Sequence, residues 1–205
     1  MKEYGIVISS MQSIWFGRQE KIFGSATERE TLKQYTRKAI DFAKIVECKN
    51  MVFGCPKNRN FFNEEDKAKG VSFFRELGQY ADSQGTIIAM EANPTIYGTN
   101  YINETKEVFQ LIEQVGSRGF LLNLDVGTMI CNQEVVTELV GKVKFINHVH
   151  ISEPGLEIIK PRKLHKELAK LLKSENYEGF VSIEMKEQKP ENIVKVMEYV
   201  REVFQ

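Results

Sequence analysis

Four side chains that can bind a cation or carry a proton, Glu91, Asp125, His150 and Glu184, each stand near the C-terminal end of a separate apolar run. The runs are Thr86-Ile-Ile-Ala-Met-Glu91, Phe120-Leu-Leu-Asn-Leu-Asp125, Phe145-Ile-Asn-His-Val-His150 and Phe180-Val-Ser-Ile-Glu184. Three carboxylates and one imidazole make an oxygen-rich donor set for a divalent cation. The set favours Mn2+ or Mg2+, with Co2+ or Zn2+ also compatible, since it contains no cysteine to select for zinc. Side chains alternate along a strand, so Asn123 shares a face with Asp125, His148 with His150, and Ser182 with Glu184.

Such chemistry needs the four run ends brought together. Short apolar runs separated by longer amphipathic segments indicate buried parallel strands. Parallel strands place their C-terminal ends on one side of the sheet, where α/β proteins build their sites. A strand-then-helix beat repeats six times. Candidate strands span 4–10, 50–54, 86–91, 120–125, 145–151 and 180–184, and candidate helices 28–47, 64–84, 104–116, 133–141, 163–174 and 191–203. Thr27 with Glu30 fits a capping box, Asn63 precedes three acids as an N-cap does, and Pro190 suits a first helical turn. Gly85, Gly119 and Gly179 are expected to end helices before the next strand. The pattern is α/β with a mainly parallel sheet in one domain, 1–205. A complete eightfold barrel takes about 250 residues, more than the 205 here.

Composition narrows the function. Lysine plus arginine number 28 and acidic residues number 28, so no basic surplus supports a nucleic-acid partner. Three cysteines, Cys48, Cys55 and Cys131, form neither a CxxC pair nor an even set, which fits reduced thiols in a cytoplasmic protein. No apolar stretch approaches the roughly 20 residues of a membrane span, and the first residues do not read as a secretory leader.

With these positions placed, the chain resembles the xylose-isomerase-like TIM barrels, the sugar phosphate isomerase/epimerase superfamily. The segments that carry the resemblance are Met11-Gln12-Ser13-x-x-Phe16-Gly17-Arg18, Phe53-Gly54-Cys55-Pro56-Lys57-Asn58-Arg59, Met90-Glu91-Ala92-Asn93-Pro94, Leu124-Asp125-Val126-Gly127, His148-Val149-His150-Ile151-Ser152-Glu153-Pro154 and Ser182-Ile183-Glu184-Met185. The resemblance implies an incomplete TIM-type barrel whose six βα units match barrel strands three to eight, lacking the family's first two units. It implies that Glu91, Asp125, His150 and Glu184 hold a divalent metal. It also implies that Glu91 and Glu184 act as acid and base in aldose–ketose isomerisation or epimerisation, through a metal-stabilised enediolate. Which glutamate is the base stays open. Thr128 stands where many sugar epimerases of the group carry a histidine, so their sugar contacts do not transfer. Three histidines in total are too few for the zinc cluster of the AP-endonuclease branch.

Around this centre the expected substrate-binding residues are Arg59, Lys57, Asn58, Gln12, Glu153 and Lys186. The Lys57–Arg59 stretch reads equally as a phosphate- or carboxylate-binding loop and as a solvated basic loop. His148 and Asn93 are expected behind the ligands, orienting them. The leading function is a metal-dependent isomerase or epimerase of a small sugar or sugar phosphate. The alternative is a degenerate, non-catalytic barrel that binds a sugar-like ligand or a partner chain. Unpaired edges left by missing units would suit a homodimer.

Overall fold

Helix α1, Ala26–Ile45, opens on a capping box in which Ser25 Oγ accepts from the Glu28 backbone N–H and the Glu28 carboxylate accepts from the Ser25 N–H. The box therefore lies two residues before the expected Thr27–Glu30 pair, because Ser25 is the residue with extended backbone. The computed structural model describes residues 4–205. After α1 the order is β1 (Met51–Phe53), α2 (Glu64–Gln84), β2 (Ile88–Met90), α3 (Thr105–Val115), β3 (Phe120–Asp125), α4 (Val126–Asn132), β4 (Ile146–Ile151), α5 (Lys163–Ser174), β5 (Phe180–Ile183) and α6 (Pro190–Phe204). Asn63 caps α2 through the Asp66 N–H, and Pro190 begins α6.

The five strands run parallel in the order β1-β2-β3-β4-β5 and form a curled half-barrel. The curl has a direct witness. The Asn147 side-chain amide on β4 donates to Lys49 O and Asn50 Oδ1 just before β1, at 3.2 and 2.7 Å. In a flat sheet three strand spacings would separate these groups by roughly 14 Å. Asn147 is free for this contact because the β3–β4 register slips by one between Leu122 and Asn123, which pairs Asn123 with His148. That bulge turns His148 and His150 to the same side as Asn123 and Asp125.

Two expectations about elements need correction. The run 4–10 is not a strand; its neighbour Met11 makes only an isolated parallel bridge to Met51, through Met11 N to Asn50 O and Val52 N to Met11 O. Gly5 and Ser13 on either side have positive φ, so the chain turns away before a second rung forms. The helix expected at 133–141 is displaced: α4 starts directly at the end of β3, and residues 136–139 form a 3-10 turn.

Glycine roles also divide. Gly85 ends α2 in the left-handed conformation, as expected, whereas α3 ends at Gly116 and α5 at Glu175. Gly119 serves close packing instead, since a Cβ there would fall 2.1 Å from Gly78 O and 2.5 Å from Asp82 N. Apolar side chains from every helix bury against the sheet around Phe53, Phe120, Leu124 and Val149. Both ends of the sheet remain open. Near them lie exposed Ile6 and Val7 before β1, Phe180 on β5, and Ile193, Val194 and Met197 on α6. Among the described residues no helix is long and apolar enough to cross a membrane.

Candidate functional site

The curl draws the C-terminal ends of β2 to β5 together. Glu91 follows β2, Asp125 closes β3, His150 lies on β4, and Glu184 follows β5. One ligand atom from each of the four lies within 4.8 Å of all the others. His150 Nδ1 stands 3.3 Å from Glu91 Oε2 and 3.1 Å from Glu184 Oε2. Asn123 Nδ2 donates to Glu91 Oε2 at 2.9 Å, and Asn93 Nδ2 donates to Glu91 Oε1 at 3.0 Å. Asp125 is tied differently: it caps α4 by accepting from Thr128 N at 2.6 Å and takes a short hydrogen bond from Ser152 Oγ. Ser152 Oγ in turn accepts from Gly127 N at 2.8 Å. Only glycine fits there, because a Cβ at 127 would sit 2.7 Å from that hydroxyl.

The electrostatics are set by three crowded carboxylates around one imidazole. Burial opposes a charge on His150, but hydrogen bonds and attraction from Glu184 and Glu91 outweigh it and hold the imidazole up at about 10. Burial, then repulsion from Glu91 and Glu184, pushes the Asp125 carboxyl up to about 7, against the pull of Ser152 and Thr128. A proton on the ring thus stands in for the positive charge that three crowded carboxylates require. A divalent cation would supply that charge more fully, and the donor types match one. The group could hold a metal ion.

His148 lies one layer deeper and 5.3 Å from the His150 ring, with Nε2 2.8 Å from Ser182 Oγ. Burial and the neighbouring His150 depress it to about 4, so it is neutral. Asn93 sits behind Glu91 and also accepts from Arg59 Nη2 at 2.8 Å.

A cavity of about 180 Å³ is lined by three of the four ligands, Glu91, Asp125 and Glu184. Gln12 and Asn93 line it, with Ser13, Cys55, Tyr97, Thr128 and Leu156. Burial raises the Cys55 thiol to about 11, so it stays protonated at neutral pH.

The remaining candidates for substrate contact lie elsewhere, each for a visible reason. Arg59 is fully buried, donating to Glu91 O, Asn93 Oδ1 and Ile102 O at 2.9, 2.8 and 3.4 Å. It pins the loop after β2 and does not reach the cavity. Burial lowers it to about 10, so it keeps its charge at neutral pH. Asn58 is buried and donates to Arg18 O and Glu20 O. Lys57 is exposed and its carbonyl accepts from Lys21. Glu153 is taken up by Arg162 in a bidentate pair, and Lys186 by Glu157 at 3.1 Å.

Tyr97, Ser152 and Leu156 join the site beyond the candidates expected from sequence. Ser152 follows His150 by two on the same face, a signal available in the strand period. Tyr97 and Leu156 lie in 3-10 turns, where no periodicity points to them.

Comparison with known proteins extends this picture. Residues 1–203 match the model of the family described as xylose isomerase-like TIM barrel. Among solved structures the chain resembles 3-keto-D-glucoside 4-epimerase from E. coli, with TM-score 0.79 and 18% identity over 98% of this chain and 81% of that one. It also resembles D-psicose 3-epimerase from Clostridium cellulolyticum H10, solved with D-tagatose, with TM-score 0.81 and 13% identity over 100% and 81%. A third is the family 2 AP endonuclease from Brucella melitensis, with TM-score 0.76 and 15% identity over 97% and 80%. No curated protein matches the sequence. Identities this low speak to the fold, and the neighbours include several sugar epimerases.

Proposed function

The chain belongs to the xylose isomerase-like TIM barrel family, and from that premise we propose that it is a divalent-metal-dependent isomerase or epimerase of a small sugar. The observation that carries this reading is the gathering of Glu91, Asp125, His150 and Glu184, from four consecutive strands, within 4.8 Å. The named activities of the sugar epimerases it resembles support the reaction class.

Glu91, Asp125, His150 and Glu184 would hold the cation. When bound, it supplies positive charge to the substrate oxygens beside the reacting carbon. The chain's own residues do the rest. Glu91 and Glu184 flank His150 from opposite strands, so one carboxylate can take the proton from the carbon next to the carbonyl while the other returns one. Asn93 and Asn123 fix the Glu91 carboxylate by donating one hydrogen bond to each oxygen. Ser152 and Thr128 fix Asp125 in the same way. Such anchoring holds a proton-transferring group in place before substrate arrives.

Replacing Glu184 with Gln tests the assignment. Wash-in of deuterium at the substrate carbon, followed by NMR over a panel of ketoses with Mn2+ or Mg2+, should slow by about 10²–10⁴-fold. Circular dichroism should remain unchanged. Wild-type exchange in that variant would remove Glu184 from the reaction.

A further inference from the structure

We propose that the cavity takes an unphosphorylated, uncharged monosaccharide, and that Leu156 sets this choice by presenting an apolar wall where a phosphate ester would need a cation. The inference rests on the reading of the site as a sugar-binding metal centre.

Phosphate is recognised by converging N–H donors and positive charge. Among the described residues, the cavity lining contains no lysine or arginine and three carboxylates. A bound divalent cation offsets two of those three charges and leaves the ligand set negative by one. Arg59 offsets charge from below, but its donors go to Glu91 O, Asn93 Oδ1 and Ile102 O. Lys57 lies outside the lining and Lys186 is paired with Glu157. Two N–H groups at the helix N-terminus beside the site are also taken, Gly127 N by Ser152 Oγ and Thr128 N by Asp125 Oδ1.

Leu156 lines the cavity from the 3-10 turn Pro154–Leu156. Leu156 has φ +58, a conformation that bulky side chains rarely adopt. Three hydrogen bonds hold the turn in this strained form. Leu156 N donates to Glu153 O at 2.8 Å, Lys186 N donates to Leu156 O at 2.8 Å, and Gly155 N donates to Tyr97 Oη at 3.1 Å. Gln12, Asn93 and Thr128 offer neutral polar atoms nearby, suited to hydroxyl groups. The cavity measures about 180 Å³.

The test is isothermal titration of the Mg2+-loaded protein with D-fructose and with D-fructose 6-phosphate, repeated on Leu156→Arg. Wild type should bind the phosphate ester at least about tenfold more weakly than the free sugar, a difference well resolved by the method. L156R should narrow or reverse that ratio. Equal or tighter binding of the ester by wild type overturns the inference, and so does a metal-loaded protein that binds neither sugar. The wild-type ratio decides the substrate class by itself; a folded L156R with an unchanged ratio overturns the role of Leu156, and Leu156→Gln read the same way decides that role if L156R does not fold. Failure of Mg2+ itself to bind, read from the metal titration alone, would instead overturn the metal-centre reading beneath it.

Discussion

Metal binding at this site should expel protons, and their number can be worked out from the geometry. His150 is held at about 10 by Glu184 and Glu91 despite its burial, so at pH 7 it carries a full proton. Asp125, raised to about 7 by burial and by Glu91, carries about half of one at the same pH. A coordinating imidazole and carboxylate must both be deprotonated. Binding at pH 7 should therefore release about one and a half protons. Each pH unit below a ligand's pKa weakens binding by about tenfold. The logarithm of the affinity should thus climb with a slope of about two near pH 6, falling to about one near pH 8.5.

Stability of the metal-free protein follows with a definite sign. Both groups have folded-state pKa values above their ordinary ones of 3.8 and 6.5. The contribution of Asp125 is complete below 3.8 and is lost as pH rises through about 7, while that of His150 is complete below 6.5 and is lost through about 10. Titration calorimetry with Mn2+, run in buffers of different ionisation enthalpy, counts the protons directly. Release of less than about half a proton at pH 7 would refute the arrangement in which His150 carries the charge that the cation replaces. Glu184→Gln should lower the count by weakening the hold on His150.

Three further perturbations probe the surroundings. Ser152→Ala leaves Gly127 N and Asp125 Oδ2 without their shared hydroxyl, and should cost about 1–3 kcal/mol in urea unfolding; an unchanged midpoint would show that the hydroxyl does not brace the ligand. Arg59→Met strips donors from two carbonyls and from Asn93, and should cost about 3 kcal/mol; a loss of sugar affinity at undiminished stability would restore Arg59 as a substrate contact. A second copy of the chain should cover the open sheet ends, so sedimentation should show a dimer that Val194→Glu together with Met197→Glu weakens; a wild-type monomer at micromolar concentration would refute this.

Most of the strands and helices were legible because their signals are local. Phe120–Asp125 and Ile146–Ile151 are bounded within one residue of their apolar runs, and Asn63, Gly85 and Pro190 mark helix ends as their backbone preferences require. The run 4–10 misled for the opposite reason. Its Ile-Val-Ile sequence suits a strand, but a strand also needs a neighbour, and only Met11 reaches one. Strand period alone put Glu91, Asp125, His150 and Glu184 at one end of a sheet, whereas their convergence depends on a curl that no residue type announces. Arg59 shows the limit most plainly. From sequence an arginine after a strand reads as a rim donor, and only the positions of the Glu91 and Ile102 carbonyls turn it inward.

That inward arginine bears on why four ligands can converge on a sheet with open ends. The ligands come from β2, β3, β4 and the end of β5, so their relative placement depends first on three adjacent strand pairings. The outermost of these positions carry extra fastening. Arg59 clamps the backbone of Glu91 from the β1 side, and Glu184 N donates to Ile151 O, extending the β4–β5 ladder by one rung. Asn147 then ties β4 back to the residues before β1, which fixes the curl from within. A closed barrel obtains the same constraint from hydrogen bonds all the way round. Here one buried guanidinium fastens the ligand end of the sheet, while one bulge and one amide across the interior fix the curl nearer the strands' N-terminal ends.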